Sequence, residues 1–148
     1  MTTEFERDLT EACSAIDDAR ADLAGLAGVI TDADLERARR GEWTVAGVLG
    51  HLVLSGGHSA GLMASLRGRE PETSDSGDAS VTSVADALGR LDAARASIRD
   101  ALGGIGEDEF YELQDAGHQT YSLRSAALDV ALHDRQHLAQ IREILASG

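Results

Sequence analysis

Apolar residues recur at three- and four-residue steps in four long stretches, each opened by Ser or Thr. Phe5, Leu9, Cys13, Ile16, Leu23 and Leu26 form the first stripe, behind Thr2 or Thr3 as N-cap. It predicts a helix to about Ala27, ended by Gly28. A short helical turn over 31–39 follows, with Thr31 as cap and Asp32 and Asp34 where the helix dipole favours anions. The second long helix starts at Thr44, directly after Trp43, and runs through Val48, His51, Leu52, Ser55, His58 and Leu62 to Arg67. Residues 68–80, with Pro71 and a run of Glu, Asp, Ser and Thr, read as a loop long enough to cross one end of a bundle. A third helix, capped by Thr82 or Ser83, carries Val84, Leu88, Leu91, Ala94, Ile98 and Leu102 until Gly103 and Gly104 stop it. One turn is expected at 107–113 and a polar connection at 116–121. The last helix starts at Ser122 and runs to about Ala146, with Leu123, Ala126, Val130, His133, His137, Ile141 and Ile144 facing inward. The pattern predicts an all-α, single-domain four-helix bundle over 1–148 with a long crossover between helices 2 and 3.

Composition narrows the partners. The 148 residues carry 13 basic groups, all Arg, against 26 acidic ones, a formal charge of −13. So acidic a chain meets polyphosphate with repulsion, which argues against nucleic acid and anionic membrane as partners. The long uncharged stretch from Trp43 to Leu66 contains two His and five Gly and reads as a buried helix, not a membrane span. The acidic start, with Glu4, Glu6 and Asp8, is unlike a signal peptide. Cys13 stands alone, so no intrachain disulfide is available and a cytoplasmic location is expected. Aromatics are only 3% of residues, so Ala, Leu, Val and Ile must build the core.

The histidines carry the candidate chemistry. His133 and His137, four residues apart on one helix, stack on a single face and can reach one ion. The helical wheel turns them toward the core. His51, among Val48, Leu49, Leu52 and Val53, is expected inside as well. Three desolvated imidazoles converging on the bundle axis need something to bind them. Taken singly, each has a plainer reading: an interior His is commonly a hydrogen-bonded core residue, and an HxxxH pair recurs without a metal. The segment is also not the HExxH of zinc proteases, because Asp134 stands in place of Glu and no further ligand follows downstream.

The run Gly41-Glu42-Trp43-Thr44-Val45-Ala46-Gly47-Val48-Leu49-Gly50-His51-Leu52 resembles the "WSvrevlaHL" signature of the DinB-like superfamily. His133-Asp134-Arg135-Gln136-His137-Leu138-Ala139-Gln140-Ile141 is similar to that family's "HdrqHlaQI" segment in its final helix. Thr44 stands where the family usually has Ser. The superfamily includes bacillithiol- and mycothiol-dependent S-transferases. The resemblance implies a divalent metal, zinc or nickel, held by His51, His133 and His137. It also implies mycothiol or bacillithiol as a thiol co-substrate that attacks a small-molecule electrophile as a metal-held thiolate.

Three imidazoles leave at least one coordination position open, so either a bound thiol or a bound water would be activated. The reading is therefore a metal-dependent S-transferase. The alternatives are a metal-dependent hydrolase using bound hydroxide, and a metal- or small-molecule-binding stress protein without turnover. A plain bundle with vestigial sites is the fourth. His58 is a candidate fourth ligand or general base, and is expected chiefly as a hydrogen-bonded residue lining the cavity. Asp129, one turn before His133, is a candidate to orient an imidazole, with a solvated carboxylate as the plain alternative. His118, Gln119 and Tyr121 are candidates for the mouth of the pocket, and Trp43 for a packing anchor. Leu49 and Val53, off the His face, suggest a homodimer interface.

Overall fold

The computed structural model describes residues 1–69, 80–115, 117 and 119–147. Most of the expected 68–80 loop, Pro71 included, and His118 lie outside the described residues. The order is α1 (Glu4–Gly25), α2 (Val45–Leu66), α3 (Val84–Ala101), α4 (Glu107–Tyr111), β1 (Gln114–Asp115), β2 (Thr120–Tyr121) and α5 (Leu123–Ala146).

Local chemistry explains where the long helices begin. The Thr3, Thr44, Ser83 and Ser122 side chains accept from the backbone N–H three residues on, satisfying a donor that the helix itself leaves unpaired. Glu6 completes a capping box by accepting from the Thr3 N–H at 2.7 Å. The first helix leaves α geometry at Gly25 and continues as a 3-10 turn over Leu26–Gly28, slightly short of the expected end. The expected turn at 31–39 is helical only over Asp32–Asp34. The polar connection expected at 116–121 ends in β2, which pairs antiparallel with β1 just before it.

The four long helices form a square in which α1 and α2 each pack against both α3 and α5. Their directions follow from polar ties at known positions. Arg67, just past α2, donates to the carbonyls of Gly103 (2.7 Å) and Ala101 (3.2 Å) at the end of α3. These two helices therefore finish together and run parallel. Salt bridges from Arg99 to Asp17 and from Arg20 to Asp92 set α1 antiparallel to α3. Parallel neighbours cannot be joined by a tight turn: after α2 the chain must return the length of α3, about 27 Å. That requirement is the physical reason for the long connection over 67–83.

Two apolar clusters fill the bundle. One joins Leu23, Leu26, Val48, Leu52, Leu91, Leu138 and Ile141; the other joins Ile16, Met63, Ile98, Phe110, Leu123 and Val130. Between them lie Gly56 of α2, Arg95 of α3 and Asp134 of α5. Leu49 and Val53 are fully buried within the first cluster, which removes the ground on which they suggested a homodimer interface. Leu54 and Leu132 are the exposed leucines of α2 and α5. Among the described residues no helix is long and apolar enough to cross a membrane.

Candidate metal centre

Position His51 lies two turns into α2, while His133 and His137 lie midway along α5. The packing of α2 on α5 brings the three rings together. His133 Nε2 is 3.1 Å from His51 Nε2 and 3.1 Å from His137 Nε2. The three ligand atoms all fall within 4.8 Å of one another. Tetrahedral ligands at 2.0–2.1 Å from zinc stand about 3.3 Å apart, so the spacing suits one shared cation. Hydrogen bonding alone does not account for it. His133 Nε2 carries either one proton or one lone pair, so it makes only one linear hydrogen bond and meets two neighbours. A cation would take all three lone pairs at once.

The rings are half-buried, not enclosed on the bundle axis as expected. The reason is the helical phase of α5. Its deepest line runs through Ala127, Val130, Ala131, Asp134, Leu138 and Ile141, and the two histidines share one flank of that line. A half-open position lets a ligand reach the cluster. Burial is nonetheless enough to hold His51 below the usual histidine range, with the His137 ring adding to the effect. Burial likewise lowers His133, reinforced by His137, His51 and the more distant Arg95 against the opposing pull of Asp134. Both are therefore neutral at pH 7, the form that binds a metal.

Several neighbours shape the cluster. Gln140, one turn beyond His137, accepts from His137 Nδ1 at 2.8 Å, which leaves Nε2 unprotonated and aimed at the other two rings. Trp43 sets an edge against His51, ring centroids 5.2 Å apart, and is 52% exposed. It packs against His51 at the start of α2 with half of its surface left open. Ser55 donates to the His51 carbonyl at 2.8 Å.

Beside His133 opens a cavity of about 360 Å³ between α2, α3 and α5, whose wall includes Ser55, Gly56, Tyr121, Asp129 and Leu132. Tyr121 is part of its wall; Gln119 is exposed and is not. His58 is exposed, outside the imidazole cluster and outside the cavity wall, which overturns its expected place there. Asp129 reaches the cavity but makes no hydrogen bond to an imidazole.

At the back of the cavity, Arg95 and Asp134 form a two-pronged ion pair. Nε donates to Oδ2 at 2.6 Å and Nη2 to Oδ1, with both side chains fully buried. Sequence reasoning missed this pair and Gln140. Each had a signal: Arg95 stands at the core spacing between Leu91 and Ile98, and Gln140 follows His137 at the three-residue step that puts two side chains on one helix face.

The model of the DinB superfamily matches residues 15–141, a span that holds His51, His133 and His137, all of α2 and α3, and parts of α1 and α5. No curated protein and no solved structure matches the chain.

Proposed function

Since the chain belongs to the DinB superfamily and gathers three imidazoles beside a cavity, we propose that it is a metal-dependent S-transferase. It would join a low-molecular-weight thiol of the mycothiol or bacillithiol type to a small electrophile. The observation that carries this reading is the convergence of the His51, His133 and His137 Nε2 atoms on one point at the cavity's edge.

His51, His133 and His137 would hold a divalent ion, zinc or nickel, through neutral nitrogens. When bound, such an ion lowers the pKa of a thiol or water placed against it. The chain's own residues do the rest. Gln140 holds the His137 ring in register, and the Arg95–Asp134 pair keeps α5 in phase with α3, so the two α5 histidines meet His51. The cavity receives the electrophile, with Leu132 and Tyr121 giving it an apolar wall. In the transfer, sulfur bonds to the electrophilic carbon while the bond to the leaving group breaks. The leaving group departs with the electron pair, and the thiol proton passes to solvent.

The test is consumption of mycothiol, bacillithiol or glutathione by zinc- or nickel-loaded protein with a panel of alkylating electrophiles, followed by free-thiol titration. Metal-dependent loss of thiol, abolished by chelator, supports the assignment. Thiol-independent hydrolysis of an ester or amide panel would replace it with the hydrolase. A stably bound metal with neither activity would leave a binding protein.

A further inference from the structure

The cavity beside His133 carries an unbalanced charge. Arg95 is the only arginine in its wall, and that guanidinium is buried and already paired with Asp134. Asp129 is different. It belongs to the same wall, is exposed, and has no hydrogen bond or ion pair among the described residues. Elsewhere on the bundle Asp92, Glu109 and Asp8 are held by Arg20, Arg67 and Tyr111 in turn. The rest of the accessible wall is uncharged at pH 7, from Ser55, Ser59 and Leu62 on α2 to Leu132 and Gln136 on α5. Position then ties this carboxylate to the histidines. Asp129 precedes His133 by four residues on α5, so the two side chains leave the helix on one face, about 6 Å apart at Cβ. A sulfur held at the three imidazoles therefore has an uncompensated negative charge one helical turn away.

We infer that Asp129 is a specificity-determining residue of the site and recognises a cationic nitrogen on the thiol bound at the histidines. The inference rests on the S-transferase reading and narrows its thiol to one with a positive charge a few atoms from sulfur. The electrostatics run one way. A carboxylate without a countercharge, in a partly apolar recess, favours a cation beside it and penalises an anion. The formal charge of −13 on the whole chain acts in the same direction. The apolar surface at Leu62 and Leu132 stays free for the electrophile.

The probe is a series of ω-mercaptoalkyl trimethylammonium ions with two to four methylenes, each paired with its neutral tert-butyl isostere. A quaternary nitrogen cannot bind a metal, so a preference for it does not come from chelation. Cobalt(II)-loaded protein reports sulfur binding through the thiolate-to-cobalt absorption band. At one length the cation should bind about threefold to fivefold more tightly than its isostere at low salt, the size of an exposed ion pair. The advantage should shrink in about 0.5 M salt. Asp129 is exposed, so substitutions there leave the core intact. Asp129→Asn should bring cation and isostere to equal affinity, whereas Asp129→Glu keeps the charge and should keep the preference. Equal binding of the two at every length overturns the inference, as does a preference that Asp129→Asn retains or Asp129→Glu abolishes. Cobalt uptake with no thiolate band from any member overturns the thiol reading itself, and the inference with it; a thiolate band without charge preference overturns the inference alone.

Discussion

Gln140 accepts a hydrogen bond from His137 Nδ1 at 2.8 Å, and the two side chains lie one helical turn apart on α5. The contact sets the tautomer: with the proton on Nδ1, the Nε2 lone pair faces His133 and His51. Outer partners of this type tune metal affinity by about 10- to 100-fold. Gln140→Leu should therefore weaken zinc binding by that factor while leaving the helical circular dichroism unchanged. Competition against a chromophoric chelator measures it, and unchanged affinity would remove Gln140 from the site.

Replacing His137 by Ala should do more. Two imidazoles remain, and stoichiometric metal should be lost on gel filtration, with the fold intact because the ring is only half-buried. Metal retained at one equivalent per chain would sink the three-histidine assignment.

The Arg95–Asp134 pair makes a different prediction, about stability. Asp134→Ala strands a guanidinium between two apolar clusters and should cost about 3–5 kcal/mol in urea unfolding. Replacing both partners, Arg95→Met/Asp134→Leu, should recover most of that loss, since no unpaired charge is left. A double variant as unstable as the single one would mean the pair does more than neutralise itself.

Acid should act in two windows. His51 and His133 are held below the ordinary histidine range, so in the folded state they resist protons that the unfolded chain accepts near pH 6.5. Their contribution to stability is complete above that pH and is lost as pH falls toward the depressed folded values. Asp34, Asp92 and Glu109 are lowered chiefly by hydrogen bonds from the Thr31 backbone, Arg20 and Arg67 in turn. By the same sign they act only below the normal carboxylate range. Urea midpoints of metal-free protein at pH 7.5 and 5.5, compared with a His51→Asn/His133→Asn variant, isolate the first window. An equal drop in both proteins would refute it. Bound metal should be released over the same acid range, because protons compete for the same lone pairs.

Core truncation gives a check on the packing. Ile98 is fully buried in the cluster that includes Phe110 and Met63, and Ile98→Ala should cost about 2–5 kcal/mol. A loss below 1 kcal/mol would place that cluster elsewhere.

The helices were legible because their signals are local. A Thr or Ser cap acts over three residues, and an apolar stripe with a 3.6-residue period describes one helix without reference to another. Thr3, Thr44, Ser83 and Ser122 could be read for that reason, as could the spacing of His133 and His137. The pairing of His51 with those two was less accessible. It came through resemblance of two motifs, since nothing in the spacing of residue 51 to residue 133 says that α2 will lie against α5.

What the amino-acid order determined by itself, then, is four amphipathic helices, the length of the connection after α2 and a pair of imidazoles on one face. The tertiary structure alone decided that α2 and α3 run parallel, and that the histidines sit half-open on one flank of a deeper Asp134. It also decided that Arg95, 39 residues before Asp134 in the chain, meets it and keeps one nitrogen unpaired beside Gly56. The division has a physical basis. Caps and periodicity are set by interactions within a few residues, whereas the phase of one helix against another is set by which side chains fill the space between them, and that is a property of the assembled bundle.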